Sequence, residues 1–219
     1  MANLTPLSPG TQLPRFPLAV LPTPLVPAHR LQRAIGGPLV WVKRDDLIGF
    51  GTAGNKARPL ELLLGDGLER GCDVLVTGGG PGSNFCAAAA AGTRVAGIDC
   101  HLVVAGTASS AHPNLVAARA AGARLHFTER DDREEIDVAV KTLAAELAAK
   151  GRRPLSLPRG GATALGTTAF AHAHEELHAQ LAAAAVVAGV LVLATGSGGS
   201  QAGLVAGSTT RHLRRYTAL

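Results

Sequence analysis

Short apolar runs alternate with Ala- and Leu-rich stretches along most of the chain, and nearly every handover carries a glycine. Bounded apolar runs read as strands, and the stretches behind them as helices. "PLVWVKRDD" (38–46) is a predicted strand, followed by a Gly-rich loop and a helix from about Lys56 to Arg70. "DVLVTG" (73–78) precedes a helix starting near Ser83, and "CHLVVAG" (100–106) one from about His112 to Ala121. "ARLHFT" (123–128) precedes a helix from about Asp132 to Lys150, whose acidic start and basic end suit the macrodipole. "PLSLP" (154–158) leads into a long helix from about Ala164 to Val187, and "GVLVLATG" (189–196) is the last strand, followed by "SGGSQAGLVAG". Strands alternating with helices of this length imply βαβ units and a parallel sheet, so the fold class is α/β. The first 38 residues read as an extended, proline-punctuated arm. The run "LAAAAVVAGVLVLA" (181–194) is too short to span a bilayer and reads as the end of a core helix entering a buried strand.

Composition sharpens this picture. The 219 residues are 47% hydrophobic but only 3% aromatic, so the core is built from Ala, Val and Leu, and 27 glycines allow helices to approach a sheet closely. The net charge of +5 comes from singly scattered arginines, which argues against a nucleic-acid partner. Cys72, Cys86 and Cys100 are odd in number and lack metal-type spacing, as expected of reduced thiols in a cytoplasmic protein. The N-terminal segment is broken by prolines and has no basic stretch leading into an apolar one, so no signal peptide is expected, and no membrane partner.

Three glycine clusters sit at strand ends. "LATGSGGSQAG" is a strand, a Gly/Ser turn and a helix start, whose backbone N–H groups suit an anion, phosphate above all. Its spacing fits neither a P-loop nor a dinucleotide fingerprint, and a tight turn needing glycine is the plainer alternative. "TGGGPGSNF" (77–85) places Ser83 and Asn84 at a helix start, where capping alone would explain them. "GFGTAGNK" (49–56) ends on Lys56, one of only four lysines. Ligands of open parallel sheets sit beyond the carboxyl ends of the strands, so the three clusters can share one crevice. A desolvated lysine there can form a Schiff base with an aldehyde, and an aldehyde with a phosphate describes pyridoxal 5′-phosphate.

A rival motif is "HEELH" (174–178), with His174 and His178 four apart and Glu175 as a possible base for a zinc hydrolase. A third ligand is wanting: no Asp or Glu follows Glu176, and His212 is the only later histidine. These residues read instead as a solvated helix face, with Phe170, Leu177 and Leu181 inward and no metal bound.

The stretches "KRDDLIGFGTAGNKARPLELLLGDGLERGCDVLVTGGGPGSN", "PRGGATALGTTAF" and "VLATGSGGSQAGL" resemble D-cysteine desulfhydrase and 1-aminocyclopropane-1-carboxylate deaminase, in matching order from about Leu21 to Gly207. These are pyridoxal-phosphate enzymes of the tryptophan-synthase-β-like fold, fold type II. The resemblance implies a larger cofactor domain (1–57 and 156–219) and a smaller inserted α/β domain (58–155). It implies that Lys56 carries the cofactor and moves the substrate's α-proton, and that Asn84 bonds the cofactor's ring hydroxyl. Thr195, Gly196, Ser197, Gly198, Gly199 and Ser200 would cradle the phosphate, and Ser83 would touch the substrate carboxylate or assist proton transfer. The implied activity is a lyase or deaminase on a small amino acid, giving an α-keto acid and ammonia, in a homo-oligomer, a dimer. Where the family has Gln-Ser-Asn-His, this chain has Gly82, Ser83, Asn84 and Phe85, so two polar groups are gone from the substrate side. The chain stops at Leu219, about one helix beyond the phosphate turn, so the C-terminal part of the larger domain is expected to be missing. Tyr216 does not match the family's active-site tyrosine. An inactive truncated homologue or partner subunit that binds a phosphate ligand stays open as a second reading.

Overall fold

The structure, a computed structural model, describes residues 13–108, 111–129, 132–209 and 216–218. Residues 1–12, where the predicted arm and the segment read for a signal peptide begin, and His212 lie outside the described residues. Leu25–Pro27 (β1) and Trp41–Lys43 (β2) pair antiparallel around the helix His29–Ile35 (α1). Short 3-10 turns at Asp45–Leu47 and Gly54–Lys56 lead into Ala57–Glu69 (α2). Val74–Gly79 (β3), Asn84–Ala96 (α3), Asp99–Val104 (β4), Pro113–Ala120 (α4), Arg124–Phe127 (β5), Arg133–Ala149 (α5) and Pro154–Ser156 (β6) follow. The chain continues through Ala164–Ala183 (α6), Leu191–Leu193 (β7), Gly199–Thr209 (α7) and Tyr216–Ala218 (β8).

The central sheet is parallel, in the order β5-β4-β3-β6. Every residue of β3 is buried, as a strand covered on both faces requires. Alternation sends Leu75, Leu102 and Val104 into one core with Leu60, Leu64 and Phe85 of α2 and α3. Val74, Val76 and Val103 enter a second core with Ile136, Val140 and Ala144 of α5. Helix starts carry the caps their sequences offer: Ser83 Oγ accepts from Cys86 N–H at 3.2 Å, and Thr163 Oγ1 from Gly166 N–H at 3.0 Å.

Three expectations are corrected. The proline-punctuated arm contains β1 and α1; between Pro27 and Pro38 nothing breaks a helix, and Gly36 (φ 62°) ends it in the left-handed region. Beyond Leu181 the apolar run 181–194 is not buried: α6 stops at Ala183, Val187 is 97% exposed, and Val192 in β7 is 57% exposed. Hydropathy cannot report how many neighbours a strand finds, and β7 pairs with β8 alone among the described residues. His174 is fully buried, not on a solvated face, whereas Phe170, Leu177 and Leu181 do point inward. It is covered because α7 lies on α6 through glycines: a Cβ on Gly203 would stand 2.2 Å from Thr167 O, and one on Gly207 2.7 Å from His174 Cβ. Among the described residues no three His, Cys, Asp or Glu side chains could hold a metal ion, and no helix is long and apolar enough to cross a membrane.

The start of α2 is tied down by a buried ionic cluster. Arg58, 2% exposed, donates Nη1 to Glu176 Oε2 (2.9 Å) and Nε to Asp45 Oδ2 (2.9 Å). Lys43 Nζ also bonds Glu176, and Gln180 and Thr23 complete the shell. Burial alone would raise the Glu176 carboxyl, but the bonds from Arg58 and Lys43 outweigh it and bring the pKa down to about 2. The stabilisation is complete above the ordinary value of 4.5 and is lost as pH falls toward about 2. Glu176→Gln, which leaves the two cations Arg58 and Lys43 with Asp45 as the one carboxylate of the cluster, is expected to lower unfolding free energy at neutral pH by roughly 3–5 kcal/mol. Urea melts check this, and the difference between parent and variant should shrink as the buffer is acidified through that window.

Candidate active site

A cavity of about 870 Å³ opens beyond the carboxyl end of β3. Gly78, Gly79 and Gly80 form its floor; Ile136 and Asp137 of α5 and Pro158–Gly160 close one side, and Ala194–Gly198 close another. Lys56, Ser83 and Asn84 reach its wall, as do Thr195, Gly196, Ser197, Gly198 and Ser200. All the expected site residues thus meet at one place except Gly199, which opens α7 directly behind the turn.

Lys56 closes the 3-10 turn that precedes α2, and Gly54 (φ 52°) supplies the left-handed residue the turn needs. Its Nζ makes no hydrogen bond or ion pair among the described residues. Burial pushes its pKa below the ordinary lysine value, since nothing compensates the desolvated ammonium. The site therefore makes the amine easier to deprotonate, and so a better nucleophile, than a solvent-exposed lysine. The nearby thiol does not compete: burial pushes Cys86 up to about 11.

Across the cavity, Thr195 Oγ1 is sealed from solvent and has no hydrogen-bond partner among the described residues. A Cβ on Gly196 or Gly198 would meet nothing within 4 Å, and Gly198 has φ 83°. Behind them α7 presents first-turn N–H groups that have no intrahelical acceptor, at the positive end of its dipole. A buried hydroxyl in want of a partner, an open glycine turn and a helix N-terminus together fit a phosphate. With a lysine amine lining the same space, the residues present fit pyridoxal phosphate.

Sequence reading missed several neighbours. Gly160 (φ 70°) brings the loop after β6 so close that a Cβ would lie 2.7 Å from Ser197 Oγ, so this loop packs directly on the 195–198 turn. Arg159 of that loop forms a bidentate pair with Asp137 of α5, Nη2 to Oδ2 at 3.0 Å, in the cavity wall. The "PRGG" stretch could have signalled this loop, but the partner 22 residues upstream carries no local mark. Phe85 is 1% exposed and packs beneath Gly161, forming an apolar base for the site.

The sequence pattern of the pyridoxal-phosphate dependent enzyme family matches residues 17–214. The chain is 34% identical over 209 residues to D-cysteine desulfhydrase of Salmonella choleraesuis, covering 92% of this chain and 62% of that protein. It is 32% identical over 219 residues to the mitochondrial bifunctional D-cysteine desulfhydrase/1-aminocyclopropane-1-carboxylate deaminase of Arabidopsis thaliana, covering 94% of this chain and 53% of that one. A crystal structure of an ACC deaminase homologue superposes with a TM-score of 0.84 at 35% identity, over 90% of this chain and 59% of the other. The chain spans a little over half the length of these relatives, and its architecture is that of fold type II. The chain, matched over residues 17–214, belongs to the pyridoxal-phosphate-dependent enzyme family.

Proposed function

We propose that the cavity holds pyridoxal 5′-phosphate and that the protein is a lyase or deaminase of small amino acids, releasing an α-keto acid and ammonia as D-cysteine desulfhydrase does. The observation that carries this reading is the pairing, across one cavity, of an uncompensated buried amine at Lys56 with the unpartnered Thr195 hydroxyl. Thr195 to Ser200 bind the phosphate through that hydroxyl and the N–H groups at the head of α7. Asn84 donates to the ring oxygen. When bound, the cofactor supplies an electron sink for charge that develops at the substrate α-carbon. Lys56 Nζ is the base that takes the α-proton, and its lowered pKa keeps it unprotonated further toward neutrality. Ser83 Oγ accepts the Cys86 N–H, which fixes the side chain at the cavity wall, and its O–H donates to the substrate carboxylate. Phe85 and Ile136 exclude water from below.

Residues 58–155 are assigned to the smaller domain and 1–57 with 156–219 to the larger, a division supported by a central sheet running from Val74 to Ser156. A cytoplasmic setting is supported by three free cysteines, and a homodimer by the exposed Val187, Val190 and Val192.

Reconstitution tests the assignment. Protein incubated with pyridoxal phosphate and dialysed is expected to keep a visible absorption band that Lys56→Ala lacks. That change is expected to lower keto-acid release from D-cysteine by about 10²–10⁴-fold; a surviving band removes Lys56 from its role. Thr195→Val should act in opposite directions on stability and binding. Without ligand it is expected to stabilise the fold by about 1–3 kcal/mol, because a buried hydroxyl without a partner is removed. Pyridoxal phosphate should then raise the melting temperature of the variant less than that of the parent, as calorimetry can measure.

A further inference from the structure

Asn84 is held by a residue outside its own helix. Its Oδ1 accepts from Nδ2 of Asn114 at 3.0 Å, and the same Nδ2 donates to the backbone carbonyl of Gly82, also at 3.0 Å. The two ends of an asparagine amide are nearly alike in shape, so bond direction must come from the partners. Here the partners decide it. The carbonyl of Gly82 can only accept, so the Asn114 atom facing it is the NH2 group. The second hydrogen of that group reaches Asn84, whose facing atom must then be its carbonyl oxygen. Asn84 keeps its own NH2 free, with no partner among the described residues, at the wall of the cavity.

Asn114 is fixed in turn. It is the second residue of α4, behind the cap His112 and Pro113, and its N–H donates to His112 Nδ1 at 3.2 Å. The His112 ring lies against Gly82, with Nε2 3.2 Å from where a Cβ there would stand. The head of α4 therefore grips the loop before α3 at a carbonyl and along a ring.

We propose that Asn114 is a positioning residue that sets the polarity of the cavity wall. Anchored on the Gly82 carbonyl, it turns the Asn84 amide so that Nδ2 donates into the cavity, which selects an ionised, acceptor-only ring oxygen over a protonated one. The proposal rests on the reading that the cavity takes pyridoxal phosphate. A hydrogen bond to the charged form of a group favours that form. Asn114→Asp inverts the relay: a carboxylate cannot donate to Gly82 and only accepts from Asn84, which then turns its carbonyl oxygen to the cavity.

The chain has four asparagines, Asn3, Asn55, Asn84 and Asn114, so labelling with 15N-asparagine gives four side-chain NH2 signals. In the full chain without cofactor, the Asn114 signal, assigned by its loss in Asn114→Asp, is expected to exchange with water about tenfold more slowly than free asparagine. The Asn84 signal should move in that variant. In the cofactor-loaded chain, the pH at which the visible band titrates is expected to rise by about one unit in Asn114→Asp. Asn114→Ala, which frees the Asn84 amide without inverting it, should shift it less in the same direction, and melting curves show that each variant is folded. Exchange as fast as free asparagine, or variants that titrate as the parent does, overturns the relay. A parent chain that takes up no cofactor overturns the cofactor reading instead, while the exchange measurement still judges the relay.

Discussion

The buried meeting of Arg58 with Glu176 and Asp45 is the constraint on which the site depends. Arg58 lies two residues beyond Lys56 on the opening turn of α2, so whatever fixes the guanidinium also fixes the direction from which the amine enters the cavity. Glu176 comes from α6, Asp45 from the turn after β2, and Lys43 from β2 itself, so one cluster joins three otherwise separate pieces of chain. Isolated buried charges are costly, and such a cluster stands only when every donor finds an acceptor. That demand makes it specific: a small displacement of α6 against α2 leaves a charge unpaired.

The cavity itself follows from the parallel sheet. Its strands end on one side, and glycines at Gly78 to Gly80, Gly160, Gly196 and Gly198 let three loops approach one another with few side chains filling the space between them. The site also carries features that the fold alone would not choose. Among the described residues, an amine without a counter-ion and a buried hydroxyl without a partner both oppose folding, and both belong to residues that line the same opening. Local features that stability disfavours, converging on one space, mark a binding site more firmly than any single motif.

Much of this was legible in the sequence where the signal is local. β3 and α3 stood out because apolar runs, glycines and a serine cap fall within a few residues of each other, and the Lys56, Ser83–Asn84 and Thr195–Ser200 segments were singled out for the same reason. α1 was missed because none of its residues is buried, so it has no apolar face to read. The run 181–194 and His174 were misjudged because burial depends on what packs across from a residue, and α7, which covers His174, arrives 25 residues later. The Arg58–Glu176 pair spans 118 residues and the Asn114–Asn84 bond 30, and nothing in either neighbourhood announces the other.

The glycine contacts between α7 and α6 carry one more consequence. Gly199, Gly203 and Gly207 recur every fourth position, so they line one side of α7, where its main chain rests almost directly on α6. The turn at 195–198, proposed to hold the phosphate, is therefore the front end of a lever whose fulcrum lies up to two helical turns behind it. A methyl group added at that hinge would tilt the lever and shift the turn without changing any residue of the cavity, so the proposed anion site can be tuned from the far end of the helix.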